Sequence, residues 1–168
     1  MVNIIPATEN DIQRILEIEQ EAISPPWTHG ALLSEMYKKD AYFVVAVDDS
    51  APSTTDVDDY SSPAFDKHRS PAVVGFAILR CVGDDGELLQ IAVDKAHRRG
   101  GAGDLLMIAA LEYARENAFG SIFLEVRRGN VAAVGLYKKH GFNSMRIRKD
   151  YYSDPVEDAV VMVKPLVD

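Results

Sequence analysis

The sequence predicts an α/β fold in which a mixed sheet is flanked by helices. Apolar runs rich in β-formers alternate with segments of helical periodicity in the order β-α-α-β-β-β-α-β-α-β-β. Strand–loop–helix units occur only in the second half, which indicates a sheet that is not purely parallel. The chain has 168 residues and shows no internal repeat, so we expect one domain over 1–168 with seven strands and four helices.

The chain begins with a predicted strand and two predicted helices. Val2–Pro6 forms the strand, and Thr8 caps the first helix with Asp11 three residues on. A mostly apolar stripe with helical spacing follows, made of Ile12, Ile15, Leu16, Glu19, Ala22 and Ile23. Ser24-Pro25-Pro26 ends this helix, and Thr28 caps a second one that runs through Tyr37.

Two apolar strands, Ala41–Val47 and Ala72–Val82, enclose a segment of different composition. Residues 49–71 hold three prolines, five serines and five aspartates, and such a segment buries little surface. We therefore expect a flexible surface insertion between two hairpin strands. Gly83-Asp84-Asp85-Gly86 is typical of a turn and leads into the strand Glu87–Val93.

The second half continues with alternating helices and strands. The predicted elements are the helix Asp104–Asn117, the strand Ile122–Val126, the helix Asn130–His140 and the strands Phe142–Arg148 and Asp158–Val163. Gly141 is expected to close the last helix in the left-handed conformation.

Composition narrows the class of protein. The formal net charge of −8 argues against a nucleic-acid binder that works by bulk electrostatics. A single cysteine, Cys81, excludes a disulfide within the chain and favours a reducing compartment. No leader-like segment and no apolar run of membrane-spanning length is visible, so we expect a cytoplasmic protein without a membrane partner.

A glycine-rich turn, Arg98-Arg99-Gly100-Gly101-Ala102-Gly103, follows a strand and opens a helix. Consecutive backbone N–H groups at such a turn can face one point, and with the helix dipole they bind phosphate oxygens. The alternative is a loop that only needs positive φ. The turn lacks the Lys-Ser or Lys-Thr of a P-loop and the full pattern of a dinucleotide-binding fold.

The same turn matches the Q/R-x-x-G-x-G/A signature, and the chain here resembles the GNAT superfamily of N-acetyltransferases. The likeness extends through Leu89–Asp94, Leu124–Arg127 with Asn130, Ala133, Leu136-Tyr137 and Gly141-Phe142, and it covers nearly everything except 49–71. Within the superfamily the chain is most similar to the bacterial ribosomal-protein alanine N-acetyltransferases. The residues on which this similarity rests are Pro26-Trp27, Leu124–Arg127, and Arg148 followed by Tyr151-Tyr152. The resemblance implies a mostly antiparallel sheet of seven strands.

The resemblance also implies acetyl-CoA as co-substrate. The pyrophosphate would lie on N–H groups from Arg99 to Asp104, and the pantetheine arm along the fourth strand near Ile91 and Val93. The implied cofactor-binding set is Ile91, Ala92, Val93, Arg98, Arg99, Gly100, Gly101, Ala102, Gly103, Asp104, Asn130 and Tyr137. Gly100 departs from the larger residue usual there, which leaves the loop backbone more mobile.

Acetyl transfer to an amine needs a base and a proton donor. Glu125, near a strand end, is the candidate base, acting through a water molecule. Its alternative role is a salt bridge with Arg127 or Arg128. Tyr137 is the candidate acid for the leaving thiolate, or else a core aromatic beside Leu136 and Phe142. Asn130 most simply caps its helix.

The acceptor is expected to be an N-terminal peptide amine. By resemblance, Trp27, Tyr151 and Tyr152 line its slot, although all three could instead be packing aromatics. The implied acceptor is the N-terminal alanine of a small-subunit ribosomal protein, whose basic start could meet Asp150, Asp154 and Glu157. The alternatives are a small-amine or broader-specificity protein acetyltransferase, and a non-catalytic acetyl-CoA-binding sensor or interaction module. We expect a monomer or weak dimer.

Neither cysteine nor metal chemistry is expected. Cys81 lies within a strand without a nearby histidine in sequence and is typical of a buried structural thiol. Direct transfer in a ternary complex, without an acetyl-enzyme, is therefore predicted. The histidines His29, His68, His97 and His140 show no metal-ligand spacing.

Overall fold

The computed structural model describes residues 1–50 and 71–167. The strands are β1 (Val2–Pro6), β2 (Ala41–Asp48), β3 (Ala72–Val82), β4 (Asp85–Val93), β5 (Ser121–Arg127), β6 (Asn143–Ser153) and β7 (Val156–Pro165). The helices are α1 (Ile12–Ala22), α2 (His29–Met36), α3 (Ala102–Glu116) and α4 (Val131–Lys139). Short 3-10 turns occupy Glu9–Asp11 and Lys95–His97.

The seven strands form one sheet in the order β1-β2-β3-β4-β5-β7-β6. Every neighbouring pair is antiparallel except β4 and β5, which are parallel. The predicted α/β fold with a mixed, mostly antiparallel seven-stranded sheet and four flanking helices is confirmed, and so is the order of its elements.

Helices cover both faces of the sheet. Alternate residues of β2 point to opposite faces, as the pleat of a strand requires. Val44 and Ala46 pack with Leu106 of α3, whereas Phe43 and Val45 pack with the apolar stripe of α1. The third core cluster joins α3 and α4 to β5 and β7. The alternation of side chains along a strand therefore decides which helix each of its residues contacts.

A gap opens in the sheet between β4 and β5. These strands pair only at Gly86 with Ile122 and at Glu87 with Phe123, and then they separate. An irregularity in the β3–β4 register falls just beyond, because Leu88 pairs with Leu79 while Gln90 pairs with Ile78. Such a bulge bends and twists a strand. The last residues of β4 are thereby left facing a cleft instead of a neighbouring strand.

The predicted end signals at Thr28, Asn130 and Gly141 are confirmed, whereas Thr8 precedes the 3-10 turn Glu9–Asp11 instead of α1, which begins at Ile12. Thr28 Oγ1 accepts from Ala31 N at 3.1 Å, and Asn130 Oδ1 accepts from Ala133 N at 3.2 Å. Asp11 Oδ2 accepts from both the N–H and the hydroxyl of Thr8. Gly141 closes α4 with φ 87°.

Several predicted boundaries were wrong. β6 continues past Arg148 to Ser153, and β7 begins at Val156 instead of Asp158, because the hairpin pairing extends to Ser153 with Val156. α3 begins two residues before Asp104. Most of the predicted insertion at 49–71 lies outside the described residues. In the described part of the chain, no helix is long and apolar enough to span a membrane.

Candidate active site

Two neighbouring clefts lie at the gap between β4 and β5. The first, which we call the loop cleft, has a volume of about 610 Å³ and runs from the end of β4 to the N-terminus of α3 and the side of α4. The second, the aromatic cleft, has a volume of about 430 Å³ and lies between the α1–α2 loop, β5 and the β6–β7 hairpin. Ala22, Ile91, Asn130 and Ala133 line both, so the two clefts adjoin at these residues.

The glycine-rich turn forms one end of the loop cleft. Gly101 has φ 89° and Arg99 has φ 65°, so the left-handed conformation falls on one glycine and one arginine. The first intrahelical bond of α3 runs from Leu105 N to Gly101 O. The N–H groups of residues 102–104 precede it and have no acceptor within the helix. This cradle of N–H groups fits a phosphate.

Most residues of the implied cofactor set line the loop cleft, but three do not. Gly100 and Ala102 are not in its lining, and the Ala102 side chain is buried against β2 and β3 in the core. Tyr137 lines the aromatic cleft instead. At Gly100 an added Cβ would come within 3.3 Å of His97 O, so a larger residue requires the loop to shift by a few tenths of an ångström.

Charges of both signs meet in the loop cleft. Arg98 and Arg99 stand beside the turn, and Lys139 reaches it from α4. Lys139 Nζ and His140 Nε2 each lie 2.8 Å from Asp104 Oδ1. These two hydrogen bonds hold the pKa of Asp104 below its usual range, and the bond from Lys139 has the larger effect. Asp104 is thus a paired carboxylate at the helix N-terminus, where a negative charge is favourable.

The free edge of β4 forms the floor of the path between the clefts. Asp94 N donates to Val74 O of β3 at 2.8 Å. Because strand N–H groups alternate in direction, those of Ile91 and Val93 point the other way, toward the gap. Arg98 Nε donates to Val93 O at 3.0 Å and anchors the turn to this edge. The edge can bond an extended chain as a sheet strand would.

Glu125 lies in the aromatic cleft and is ion-paired. Its Oε1 is 3.0 Å from Arg148 Nε, so the alternative pairing with Arg127 or Arg128 was wrong. The Arg148 guanidinium lies 5.3 Å from the centre of the Tyr151 ring. Interaction with the Glu125 carboxylate is the main reason why the pKa of Tyr151 is raised. Arg148 was not assigned a role beside Glu125, because the two are brought together only by the β5–β7–β6 pairing.

Tyr137 combines both of its predicted environments. Its side chain is only 7% exposed and its ring lies 5.9 Å from that of Phe142, as for a core aromatic. It also lines the aromatic cleft together with Glu125 and Asn130. Burial raises the pKa of this phenol well above its usual value, so it keeps its proton.

Arg127 ties the two walls of the aromatic cleft together. Its Nη2 donates to Ser24 O at 2.8 Å in the α1–α2 loop and to Asp154 O at 3.0 Å in the hairpin. Its Nη1 donates to Pro155 O at 3.0 Å, and its guanidinium stacks 4.2 Å from the Tyr152 ring centre. This bridging role was missed, since nothing in the sequence brings residues 24 and 154 together.

The three aromatics assigned to the acceptor slot all line the aromatic cleft. Trp27 is half-buried against the α1 core cluster, and Tyr151 is the most exposed of the three. Burial raises the pKa of Tyr152 to about 12. The Tyr151 and Tyr152 rings meet edge to face, with their centroids 5.1 Å apart.

The predicted environment of Cys81 needs correction. It is the penultimate residue of β3 instead of a mid-strand residue, and it is half-buried, with Sγ donating to Gly83 O at 3.3 Å. It lines neither cleft. Among the described residues, no group of three or more His, Cys, Asp or Glu side chains is arranged to hold a metal ion.

Known N-acetyltransferases are similar to this chain in sequence and in fold. The [ribosomal protein bS18]-alanine N-acetyltransferase of Haemophilus ducreyi is 31% identical over 157 residues, which are 92% of this chain and 93% of that protein. The crystal structure of the ribosomal-protein-S18-alanine N-acetyltransferase from Escherichia coli matches with a TM-score of 0.78 at 27% identity, covering 100% of this chain and 96% of that one.

A more distant structure shares the fold alone. Arabidopsis thaliana NAA60, solved in complex with acetyl-CoA, matches with a TM-score of 0.81 at 18% identity over 99% of each chain. The model of the acetyltransferase (GNAT) family matches residues 12–142, most of the chain. The resemblance noted in the sequence is thereby confirmed: this chain belongs to the acetyltransferase (GNAT) family.

Proposed function

We propose that this protein transfers the acetyl group of acetyl-CoA directly to the N-terminal α-amine of a peptide, in a ternary complex. The observation that carries the proposal is that the two clefts adjoin and share Ile91 and Asn130 in their linings. One cleft has the N–H cradle for phosphate and the other has the candidate acid and base. Two substrates can therefore meet on one path, and no acetyl-enzyme is needed.

The acceptor we propose is the N-terminal alanine of a small-subunit ribosomal protein. Relatives near 30% identity over most of their length carry that activity in their names. The open aromatic slot between Trp27 and the Tyr151-Tyr152 pair admits an extended peptide. A net charge of −8 favours the approach of a basic segment.

The loop cleft suits coenzyme A. The N–H groups of residues 102–104 and the side chains of Arg98, Arg99 and Lys139 can hold its phosphates. The outward N–H groups of Ile91 and Val93 can bond its amide arm, and one of them can donate to the thioester oxygen. Acetyl-CoA supplies an acetyl group activated by a thiol leaving group.

Glu125 and Tyr137 then carry out the two proton transfers, from the amine and to the sulfur. The neutral amine attacks the carbonyl carbon, so that a C–N bond forms and the C–S bond breaks. Glu125 takes the amine proton through a water molecule. Tyr137 gives its proton to the departing sulfur. An α-amine has a pKa near 8, so a modest base suffices.

Thiol release from acetyl-CoA tests this proposal. The acceptor is a synthetic peptide that begins with the alanine of the ribosomal protein, and the control is the same peptide with a blocked α-amine. We expect release only with the free amine, accompanied by acetylation of that amine in the mass spectrum. Release that does not depend on peptide would contradict the acceptor, and binding of acetyl-CoA without turnover on any amine would indicate a sensor.

A further inference from the structure

A buried acid–amide pair lies at the wall of the aromatic cleft, where Gln90 is a lining residue, and the proposed reaction does not use it. Glu19 of α1 and Gln90 of β4 are only 0% and 7% exposed. Gln90 Nε2 donates to Glu19 Oε1 at 2.8 Å, and the backbone N–H of Trp27 donates to the same oxygen at 2.8 Å. One carboxyl oxygen therefore joins a helix, a strand and the α1–α2 loop.

The other half of the pair consists of two hydrogen-bond acceptors without a donor. Glu19 Oε2 and Gln90 Oε1 are buried side-chain atoms that have no hydrogen-bond partner among the described residues. A carboxylic acid and a primary amide can form two hydrogen bonds with each other, N–H to O and O–H to O. The first bond is present, and one proton on Oε2 supplies the donor for the second.

Ionisation of Glu19 would be costly in this place. A buried carboxylate without a cation is strongly disfavoured, whereas a neutral acid that is hydrogen-bonded is not. Burial raises the pKa of Glu19 more than the hydrogen bonds from Trp27 and Gln90 lower it. No charged side chain in the described part of the chain contributes to that shift.

Charged groups on the elements packed around α1 are mostly engaged elsewhere. The ion pairs that they form join Glu35 with Arg80 and Lys38, Arg14 with Glu17 and Asp94, and His97 with Asp94. Glu87 of β4 is an acid, so it cannot compensate an anionic Glu19, and it lies in the lining of the aromatic cleft.

We propose that Glu19 is held as the neutral acid, that its Oε2–H donates to Gln90 Oε1, and that this pair fixes the α1–α2 loop against β4. Glu19 is a positioning residue, because it acts on the peptide slot through Trp27 and Gln90. Its effect on the peptide rests on the proposed function, since the loop is one wall of the aromatic cleft. The protonation state of Glu19 does not depend on the proposed function.

Infrared difference spectroscopy tests the protonation state on the full chain without any substrate. The spectrum of wild type minus Glu19→Gln at neutral pH should show the carbonyl stretch of a protonated carboxylic acid. The matched control, Glu17→Gln on the exposed side of the same helix, should give no such band. A carboxylate band from Glu19 at neutral pH would overturn the proposal, whether or not the protein acetylates peptides.

Kinetics separate positioning from a merely structural role. In Glu19→Gln the amide N–H takes the place of the acid O–H, so both KM values should stay within about twofold of wild type. Glu19→Ala should raise the peptide KM by about tenfold and leave the KM for acetyl-CoA unchanged, because Trp27 N–H and the Gln90 amide lose their partner. Equal damage from Gln and Ala would overturn the neutral-acid assignment, and unchanged peptide KM in Glu19→Ala would overturn positioning.

Discussion

Glu125 and Tyr137 line the same cleft but have opposite surroundings. Glu125 Oε1 lies 3.0 Å from Arg148 Nε. Tyr137 is buried against Phe142, and burial favours the neutral phenol. The proposed function gives Glu125 the role of base and Tyr137 the role of acid. The two assignments predict different behaviour on substitution.

Replacing Tyr137 by Phe removes the proton donor and keeps the ring in the core. We expect kcat to fall by at least about tenfold while both KM values change little. The measurement is steady-state thiol release, with Tyr113→Phe as the control, because Tyr113 stacks on Tyr42 and lines neither cleft. A Tyr137→Phe enzyme with the kcat of wild type would contradict the acid role.

Replacing Glu125 by Gln removes the base without changing the shape of the side chain. At pH ~7 the α-amine is largely protonated, so we expect a rate loss of at least about tenfold. The loss should shrink as the pH rises past the amine pKa near 8, since the amine then deprotonates unaided. The pH–rate profiles of Glu125→Gln and the surface control Glu112→Gln are to be compared, and a pH-independent defect would argue against general-base action.

At the scale of elements, the turn before α3 depends on backbone conformation. Gly101 is left-handed with φ 89°, whereas Gly30 in α2 has open space around its Cα and no positive φ. Gly101→Ala should lower the affinity for coenzyme A by roughly tenfold, because an L-residue costs about 1–2 kcal/mol in that conformation. Gly30→Ala is the control and should bind normally. Calorimetric titration measures both, and equal affinities would show that the turn does not hold the cofactor.

The sequence predicts elements better than the contacts between them. The hydrophobic period, the helix caps and the turn at Arg98–Gly103 are local features, and they predicted the order of the seven strands along the chain. The ends of β6 were missed because this edge strand is exposed on both sides, so it lacks the alternation that marks a half-buried strand. The pairing of Glu125 with Arg148 requires the sheet order, which no local pattern contains.

Buried polar residues were also hidden in the local pattern. Glu19 occupies the same face as the apolar stripe of α1, and its partner Gln90 is 71 residues away. A glutamate in an apolar stripe is a signal that could have prompted the search for a buried partner. Arg127 gave no such signal, because its acceptors are backbone carbonyls of two distant loops.

At the scale of the whole molecule, the stability of the fold at low pH should depend on the buried carboxylate of an ion-pair network. Glu35 of α2 is buried and bonded to Arg80 of β3 and Lys38. Burial alone would raise its pKa, but the bonds and charges of Arg80 and Lys38 outweigh burial and hold the pKa below its usual value. A lowered pKa in the folded state gives stability above the unfolded pKa, which is lost as the pH falls through the folded pKa.

Wild type should therefore be more stable than Glu35→Gln at pH ~7, by about 1–3 kcal/mol in the free energy of unfolding. The difference should shrink as the pH falls below about 4.3, the usual pKa of a glutamate. Urea unfolding across this pH range measures it, with Glu17→Gln as an exposed ion-pair control. A difference that stays constant with pH would contradict the linkage.

The continuity of the loop and aromatic clefts is the claim on which the proposed reaction depends. A bisubstrate analogue, in which coenzyme A is joined to the α-amine of the alanine-initial peptide, tests it by calorimetric titration. If both clefts are occupied along one path, the analogue should bind at least about 100-fold more tightly than coenzyme A alone. An analogue that binds no more tightly than coenzyme A would contradict a shared path and, with it, direct transfer between the two substrates.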